Sequence, residues 1–321
     1  MKSIVMLFNV CALYIKIMNN ENQTIHKSND NLTIYGWNEK LNQLKQESIY
    51  STLAHGRVSI VHRTCYEVIS GNGLFQCELT GNMMYGKSDD ELPCTGDWVI
   101  FQPFDEHKGI IVDSLPRERT LYRKKSGTVA DKQVIASYVD KAFIVQSLDD
   151  NFNVRRVERF MVQIMEENIS SVLVLNKADL DFDRQSVEEQ IKHISSQIPV
   201  FFTSIHQLET IVRLRKSISE GETVVFVGSS GVGKSSLVNA LCEKPVLLTS
   251  DISLSTGKGR HTSTRREMVL MDSSGVLIDT PGVREFGLAI DNPDSLAEVL
   301  EISDYAESCR FKDCKHINEP G

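Results

Sequence analysis

No apolar run in this chain is long enough to cross a bilayer. The opening MKSIVMLFNVCALYIKIMNN offers about 13 apolar-rich residues between Lys2 and Lys16, broken by Asn9, where a span needs about 20. Lys2 ahead of that stretch resembles a short signal segment, but no small-x-small cleavage pattern follows it. The expectation is an upstream extension, with Met1 or Met18 as the start, followed by a disordered NNENQTIHKSNDN. A cysteine framework is lacking too. Seven cysteines, at 11, 65, 77, 94, 242, 309 and 314, are odd in number and irregularly spaced, which excludes a disulfide-stapled scaffold and points to reduced thiols in a reducing compartment. Positive charge is not in excess: 35 Lys and Arg against 43 Asp and Glu leave −8, which argues against a protein coated in nucleic acid while allowing a local basic face. Internal repeats and low-complexity tracts are also missing.

What is present is an ordinary globular balance, 41% apolar and 24% charged over 321 residues, enough for two or three domains. Residues 1–48 read as a partly disordered extension. Residues 49–116 hold short β-like pieces, GRVSIVHRTCYEVI, LFQCELTG and DWVIFQ, separated by the turn chemistry of SGNG, GKSDDELPCTGD and DEHKG. Such a run suggests a small barrel of the OB or SH3-like type, although a small β sandwich fits the same periodicity. The basic PRERTLYRKKSG connects it to residues 117–290. There KAFIVQSL, SVLVLNK and VVFVG alternate with amphipathic helical patterns, predicting a parallel sheet covered on both faces. Residues 291–321 begin a third, C-terminal module.

The chemistry is carried by GSSGVGKS, which fits G-x-x-x-x-G-K-[ST] between a strand, TVVFV, and a helix. Glycines at 228, 231 and 233 let backbone N–H groups turn inward around phosphate oxygens at a helix N-terminus. Lys234 is expected to reach the β- and γ-phosphates, and Ser235 to offer its hydroxyl to Mg²⁺. NKAD ends another apolar strand, where α/β folds place ligand contacts. The Asp179 carboxylate suits the two N–H groups on the edge of guanine, which adenine lacks. Lys177 can lay its stem along the base, and Asn176 can tie this loop to the phosphate loop. In VLIDTPGV, Asp279 is placed for the Mg²⁺ shell and the Gly282 N–H for the γ-phosphate. Thr203 and Ser204, ending FFTSI, complete the base pocket. The nucleotide-binding set is Asn176, Lys177, Ala178, Asp179, Thr203, Ser204, Gly228, Ser229, Ser230, Gly231, Val232, Gly233, Lys234, Ser235, Ser236 and Gly282. Mg²⁺ falls to Ser235, Thr262, Thr264 and Asp279, with Ser263 an alternative to the two threonines.

The order of these pieces is base loop, phosphate loop, first switch, then D-T-P-G: a GTPase core opened and rejoined elsewhere, which a parallel sheet tolerates because the site depends on where strand ends lie. The rearranged order places the γ-phosphate-sensing loop directly before the C-terminal module, an arrangement suited to a switch. Val283 stands where many GTPases carry a water-orienting Gln, so intrinsic turnover should be slow without another group. His261, in STGKGRHTSTRRE, is the candidate; a solvated, RNA-facing loop is the other reading of that segment, and the two are compatible. In the tail, Cys309, Cys314 and His316 form C-x4-C-x-H, a donor set zinc prefers, though a tetrahedral site needs a fourth ligand and none follows before Gly321.

These motifs together resemble the circularly permuted GTPases that act on the small ribosomal subunit, the RsgA type. The resemblance runs from YGW at 35–37 through LPCTGDWV, QVIASYVD, NFNVRRVERF, NKAD, GSSGVGKSS, GKGRHTST, DTPGVREFG and CRFKDCKHINEPG. It implies an N-terminal OB domain, a central permuted α/β P-loop GTPase domain and a C-terminal zinc-binding α module. It also implies GTP hydrolysis stimulated by the small (30S) subunit during its late assembly. By motif match, His261 resembles the family's catalytic histidine, and Cys309, Cys314 and His316 three of its four zinc ligands. The fourth, a Cys after EPG in the family, and the helical segment beyond it are absent from this sequence, which reads as a truncated module. Basic clusters at Arg117, Arg119, Arg123, Lys124 and Lys125, at Arg155, Arg156 and Arg159, and at Lys258, Arg260, Arg265 and Arg266 offer contacts for 16S rRNA. The expectation is a cytoplasmic, monomeric GTPase acting in small-subunit assembly, with no membrane partner. Its rivals are a nucleotide-gated rRNA-binding scaffold with incidental hydrolysis, and a P-loop ATPase or small-molecule kinase.

Overall fold

The computed structural model describes residues 32–124, 132–243, 266–271 and 275–279. The expectations placed on residues 1–31, on His261, Thr262, Ser263, Thr264, Gly282 and Val283, and on Cys309, Cys314 and His316 lie outside them.

The chain enters through a 3₁₀ turn, Leu32–Tyr35, and helix α1, Glu39–Glu47, whose N-terminus is capped by the Asn38 side chain accepting from the Leu41 N–H. Strands β1 (Ala54–Val61), β2 (Tyr66–Ser70) and β3 (Gly73–Leu79) follow as a meander. A short helix α2 (Gly81–Gly86) leads to β4 (Trp98–Asp105) and β5 (Lys108–Ser114). β1 pairs antiparallel with both β2 and β4, β4 pairs with β5, and β5 runs parallel to β3, so the five strands close into a ring. Closure removes the sheet edges and selects a closed barrel over a sandwich. The interior is Val58, Val68, Phe75, Cys77, Val99, Phe101 and Ile111, the inward half of each alternation. The segment GRVSIVHRTCYEVI is two strands rather than one: the chain reverses at HRTC, where the His62 N–H bonds the Cys65 carbonyl at 2.8 Å.

Past a hairpin of β6 (Leu121–Lys124) and β7 (Lys132–Ala136) comes an α/β layer. In chain order it comprises β8 (Lys141–Ser147), α3 (Val154–Glu166), β9 (Ser170–Asn176), α4 (Arg184–Gln190), α5 (Lys192–Ser195) and β10 (Val200–Thr203). It continues with α6 (Leu208–Lys216), β11 (Thr223–Val227), α7 (Lys234–Cys242), β12 (Glu267–Leu270) and β13 (Val276–Asp279). The strand order is β10-β9-β8-β11-β13-β12, parallel throughout except that β12 runs antiparallel to β13. Helix α3 presents Val157, Phe160, Met161 and Ile164, an i, i+3, i+4, i+7 stripe, to Ile144, Leu173, Leu175 and Val225 on one face. Leu237, Val238 and Leu241 of α7, with Ile211 and Leu214 of α6, cover Phe143, Val145, Val174 and Phe226 on the other. Each such aliphatic side chain contributes about 1.5–3 kcal/mol by leaving water, which explains why these strands are apolar without alternation. Among the described residues no helix is long and apolar enough to cross a membrane.

Barrel and layer are joined by one ladder contact, Ile60 opposite Glu267, and by Arg57. The Arg57 side chain is buried, and its guanidinium donates to the Gly96, Tyr35 and Tyr138 carbonyls and to the Thr223 hydroxyl while lying over the Trp98 ring. Burial lowers its pKa to about 10, which still leaves it charged at neutral pH. A second strut involves the basic connector. Arg117 binds the fully buried Asp97 carboxylate through Nε and Nη2, at 3.0 and 2.8 Å, and bonds the Asp90 and Leu92 carbonyls as well. The LPCTGDWV segment is therefore a packing element, and Arg117 points inward rather than toward a nucleic acid. Arg119 (to Asp140), Arg123 (to Gln133) and Arg155 (to Glu158) also have partners within the chain.

Candidate nucleotide site

The strand ends β8, β9, β10 and β11 converge on one edge of the parallel layer, and the predicted nucleotide residues of the described chain gather there. β11 runs into the phosphate loop at Gly228, and the loop closes at Gly233, the residue before α7. Gly233 has φ +92°, a left-handed conformation, and a Cβ there would collide with the Asn176 side-chain amide. A Cβ at Gly228 would collide with the Val145 carbonyl oxygen of β8. The glycine spacing is thus required by two close approaches of the loop to neighbouring strands.

Asn176, the last residue of β9, is buried and donates from Nδ2 to the Val232 carbonyl at 2.8 Å. Its Oδ1 accepts from the Thr203 hydroxyl at 3.3 Å. The base loop is bound to β10 again through the Ala178 N–H, which donates to the Thr203 carbonyl at 3.0 Å. Ser204 donates from its hydroxyl to Asp179 Oδ1 at 2.5 Å. That hydrogen bond holds the exposed Asp179 carboxyl below the usual range and fixes its orientation at the rim. Lys177 has φ +62°, a strained conformation for a residue with a side chain, in the middle of the base loop. Lys234 Nζ donates to the Gly228 and Ser229 carbonyls, both at 2.7 Å, so the ammonium lies within the curl of the loop. Ser230, Gly231, Ser235 and Ser236 lie in the loop and first turn of α7, partly or fully exposed. Asp279 ends β13 beside β11.

Two residues outside the predicted set belong to this edge. Asp149, just beyond β8, accepts from Lys177 Nζ at 2.8 Å, from the Ser147 hydroxyl at 2.6 Å and from the Asn151 N–H at 3.0 Å. Burial alone would raise its pKa, but these bonds outweigh burial and hold it down to about 2. Arg156, in the first turn of α3, donates to the Ser229 hydroxyl at 3.0 Å. A signal for them was present: SLDDNFNVRR follows an apolar strand at the C-terminal edge of a parallel sheet, where ligand contacts collect.

Comparison with known proteins bears on this geometry. The profile described as RsgA GTPase matches residues 114–289. Small ribosomal subunit biogenesis GTPase RsgA 1 of Bacteroides thetaiotaomicron is 75% identical over 293 residues, covering 91% of this chain and 82% of that protein. The chain belongs to the RsgA GTPase family. Among solved structures, that of YjeQ from Thermotoga maritima is similar, with a TM-score of 0.61 at 25% identity over 83% of this chain and 88% of that one. YloQ, described as a circularly permuted GTPase, shares the fold, with a TM-score of 0.60 at 20% identity over 85% and 87%. The permuted order read from the motifs is the order of this RsgA fold, with the base loop after β9 preceding the phosphate loop after β11.

Proposed function

We propose that this RsgA-family chain hydrolyses GTP as a late assembly factor of the small ribosomal subunit, with hydrolysis stimulated by the subunit. One contact carries the nucleotide reading: the 2.8 Å bond from Asn176 to Val232, which binds a base-reading loop to a phosphate loop and makes them one site. The relatives' names, small ribosomal subunit biogenesis GTPase, support the subunit as partner. We also infer that the protein contacts 16S rRNA and works as a monomer in the cytoplasm.

In this reading Asp179 accepts from the guanine edge, Lys177 covers the base, and Thr203 and Ser204 back the base loop. Lys234 and the backbone N–H groups of Gly228 through Ser236 take the phosphates. Ser235 and Asp279, with Thr262 or Thr264, would hold Mg²⁺, which when bound neutralises charge on the β- and γ-phosphates. The Gly282 N–H meets the γ-phosphate. Val283 has no group to orient water, so His261 orients it, and subunit docking is what brings His261 into place. Cys309, Cys314 and His316, two thiols and an imidazole, are proposed to hold Zn²⁺; the reading rests on that donor set and the resemblance.

GTP turnover measured with and without small subunits tests the proposal. A marked rise with subunits is expected. A rate indifferent to subunits would favour the rRNA-binding scaffold, and equal competition by ATP would favour a kinase or ATPase.

A further inference from the structure

We propose that Arg156 is a positioning residue for the phosphate loop: it holds Ser229, and through Ser229 keeps Lys234 aimed at the nucleotide. The inference rests on the GTPase reading and deepens it by adding a side chain that no motif marks.

Arg156 occupies an electrostatically poor place. It is the third residue of α3, whose first turn contains Arg155 and Arg156 and no acid, at the end of a helix where a cation is disfavoured. Arg155 is compensated by Glu158, with Nη1 to Oε2 at 3.1 Å. Among the described residues Arg156 bonds only neutral oxygens: Nη1 donates to the Asn151 carbonyl at 3.2 Å and to the Ser229 hydroxyl at 3.0 Å. Its backbone is also held, since its N–H donates to the Asn153 cap at 3.1 Å. A cation held in place on both sides, with no carboxylate partner among the described residues, beside a loop shaped for phosphates is suited to supporting an anion.

The link to Lys234 is short. Ser229 receives Arg156 on its hydroxyl, and its carbonyl receives Lys234 Nζ at 2.7 Å. Freeing the hydroxyl lets Ser229 turn over, which moves one of the two carbonyls that orient the ammonium. The same turn reaches the base loop, because the Asn151 N–H bonds Asp149, which binds Lys177. Arg156 therefore sits in a polar chain running from Ser229 to Lys177, parallel to the direct bridge from Asn176 to Val232.

The test measures release of a fluorescent GDP and GTP analogue from wild type, Arg156→Ala, Ser229→Ala and the double variant, with melting temperatures of the nucleotide-free proteins. Each single variant should release nucleotide about tenfold faster, as expected for loss of a hydrogen bond to a charged donor, with the double variant no faster than either single. Melting temperatures should stay at the wild-type value, because Arg156 is a partly exposed side chain at an unfavourable helix end. Release unchanged in Arg156→Ala, or single effects that add in full, overturns the inference alone, provided wild type retains GTP. A wild-type protein that fails to retain GTP overturns both the inference and the reading beneath it.

Discussion

Asn176 and Val232 stand 56 positions apart in the chain and are joined by one buried hydrogen bond of 2.8 Å, amide to carbonyl. The bond makes two predictions in one place. Asn176→Ala leaves the Val232 carbonyl without its partner and should weaken GTP binding about tenfold. Gly233→Ala forces a Cβ into the Asn176 amide at a left-handed φ of +92° and should be at least as damaging, while Gly231→Ala meets no neighbour within 4 Å and has only its own φ of +82° to contend with. Calorimetric titration with GTP should rank the three, with Gly231→Ala the mildest.

Arg57 should matter to stability and not to the nucleotide. Arg57→Met strands the Tyr35, Gly96 and Tyr138 carbonyls and the Thr223 hydroxyl, and should cost about 3 kcal/mol or more. Lys in its place cannot reproduce the fork and should recover little. Thr223 lies at the start of β11, one strand length from the phosphate loop, so GTP affinity of the folded variant should match wild type. Denaturant melts at constant slope read the stability loss.

The parts legible in the sequence were those whose chemistry is local. Three glycines, a lysine and a serine at fixed spacing between a strand and a helix mark a phosphate loop by themselves, although β8 and Asn176 are what require Gly228 and Gly233. NKAD likewise announced itself at a strand end, and the chemistry of its Asn foretold a tie to the phosphate loop. What stayed hidden depends on partners far along the chain. Arg156 reads as surface charge until Ser229, 73 residues on, is brought to it. Arg117 reads the same way until Asp97, 20 residues earlier, is seen buried against it. The antiparallel course of β12 has no periodic signature, because apolar patterning records burial and not direction. The turn at HRTC carries neither Gly nor Pro, so β1 and β2 ran together in the pattern.

Asp149 supplies a prediction about pH. Its folded pKa is about 2, below the ordinary 3.8, so the charged form is the one the fold favours. Its contribution is therefore complete above about pH 4 and is lost only as pH falls through about 2. Asp149→Asn frees Lys177 and should weaken GTP binding severalfold, by a ratio to wild type that stays flat from about pH 5 to 8. A ratio that changed across that range would remove Asp149 as the anchor of Lys177.

His261→Ala separates catalysis from binding. Subunit-stimulated turnover should fall by about 10²-fold or more, the usual scale for a lost water-orienting or proton-transfer group, with GTP affinity unchanged. Val283→Gln should not restore a fast intrinsic rate if His261 holds that role. Single-turnover assays on both variants decide the matter, and turnover retained in His261→Ala would end the assignment.

The base pocket offers the sharpest test, because Asp179 and Ser204 do different things. Asp179 is the proposed acceptor for guanine, and both carboxylate oxygens are needed to accept two N–H groups. Asp179→Asn turns one acceptor into a donor facing a donor, so GTP affinity should fall about 10²-fold or more while ATP affinity stays where it was. Ser204 reaches the carboxylate through the 2.5 Å bond from its hydroxyl, which also accepts from the His206 N–H at 3.0 Å. Ser204→Ala leaves both acceptors present but unsteered, and should cost GTP binding only a few-fold. If the serine acts through the aspartate, the second substitution should add nothing once Asp179→Asn is in place. Competition of GTP and ATP across the four proteins measures this directly. A serine effect that persisted in the Asn background would mean that Ser204 meets the nucleotide by itself.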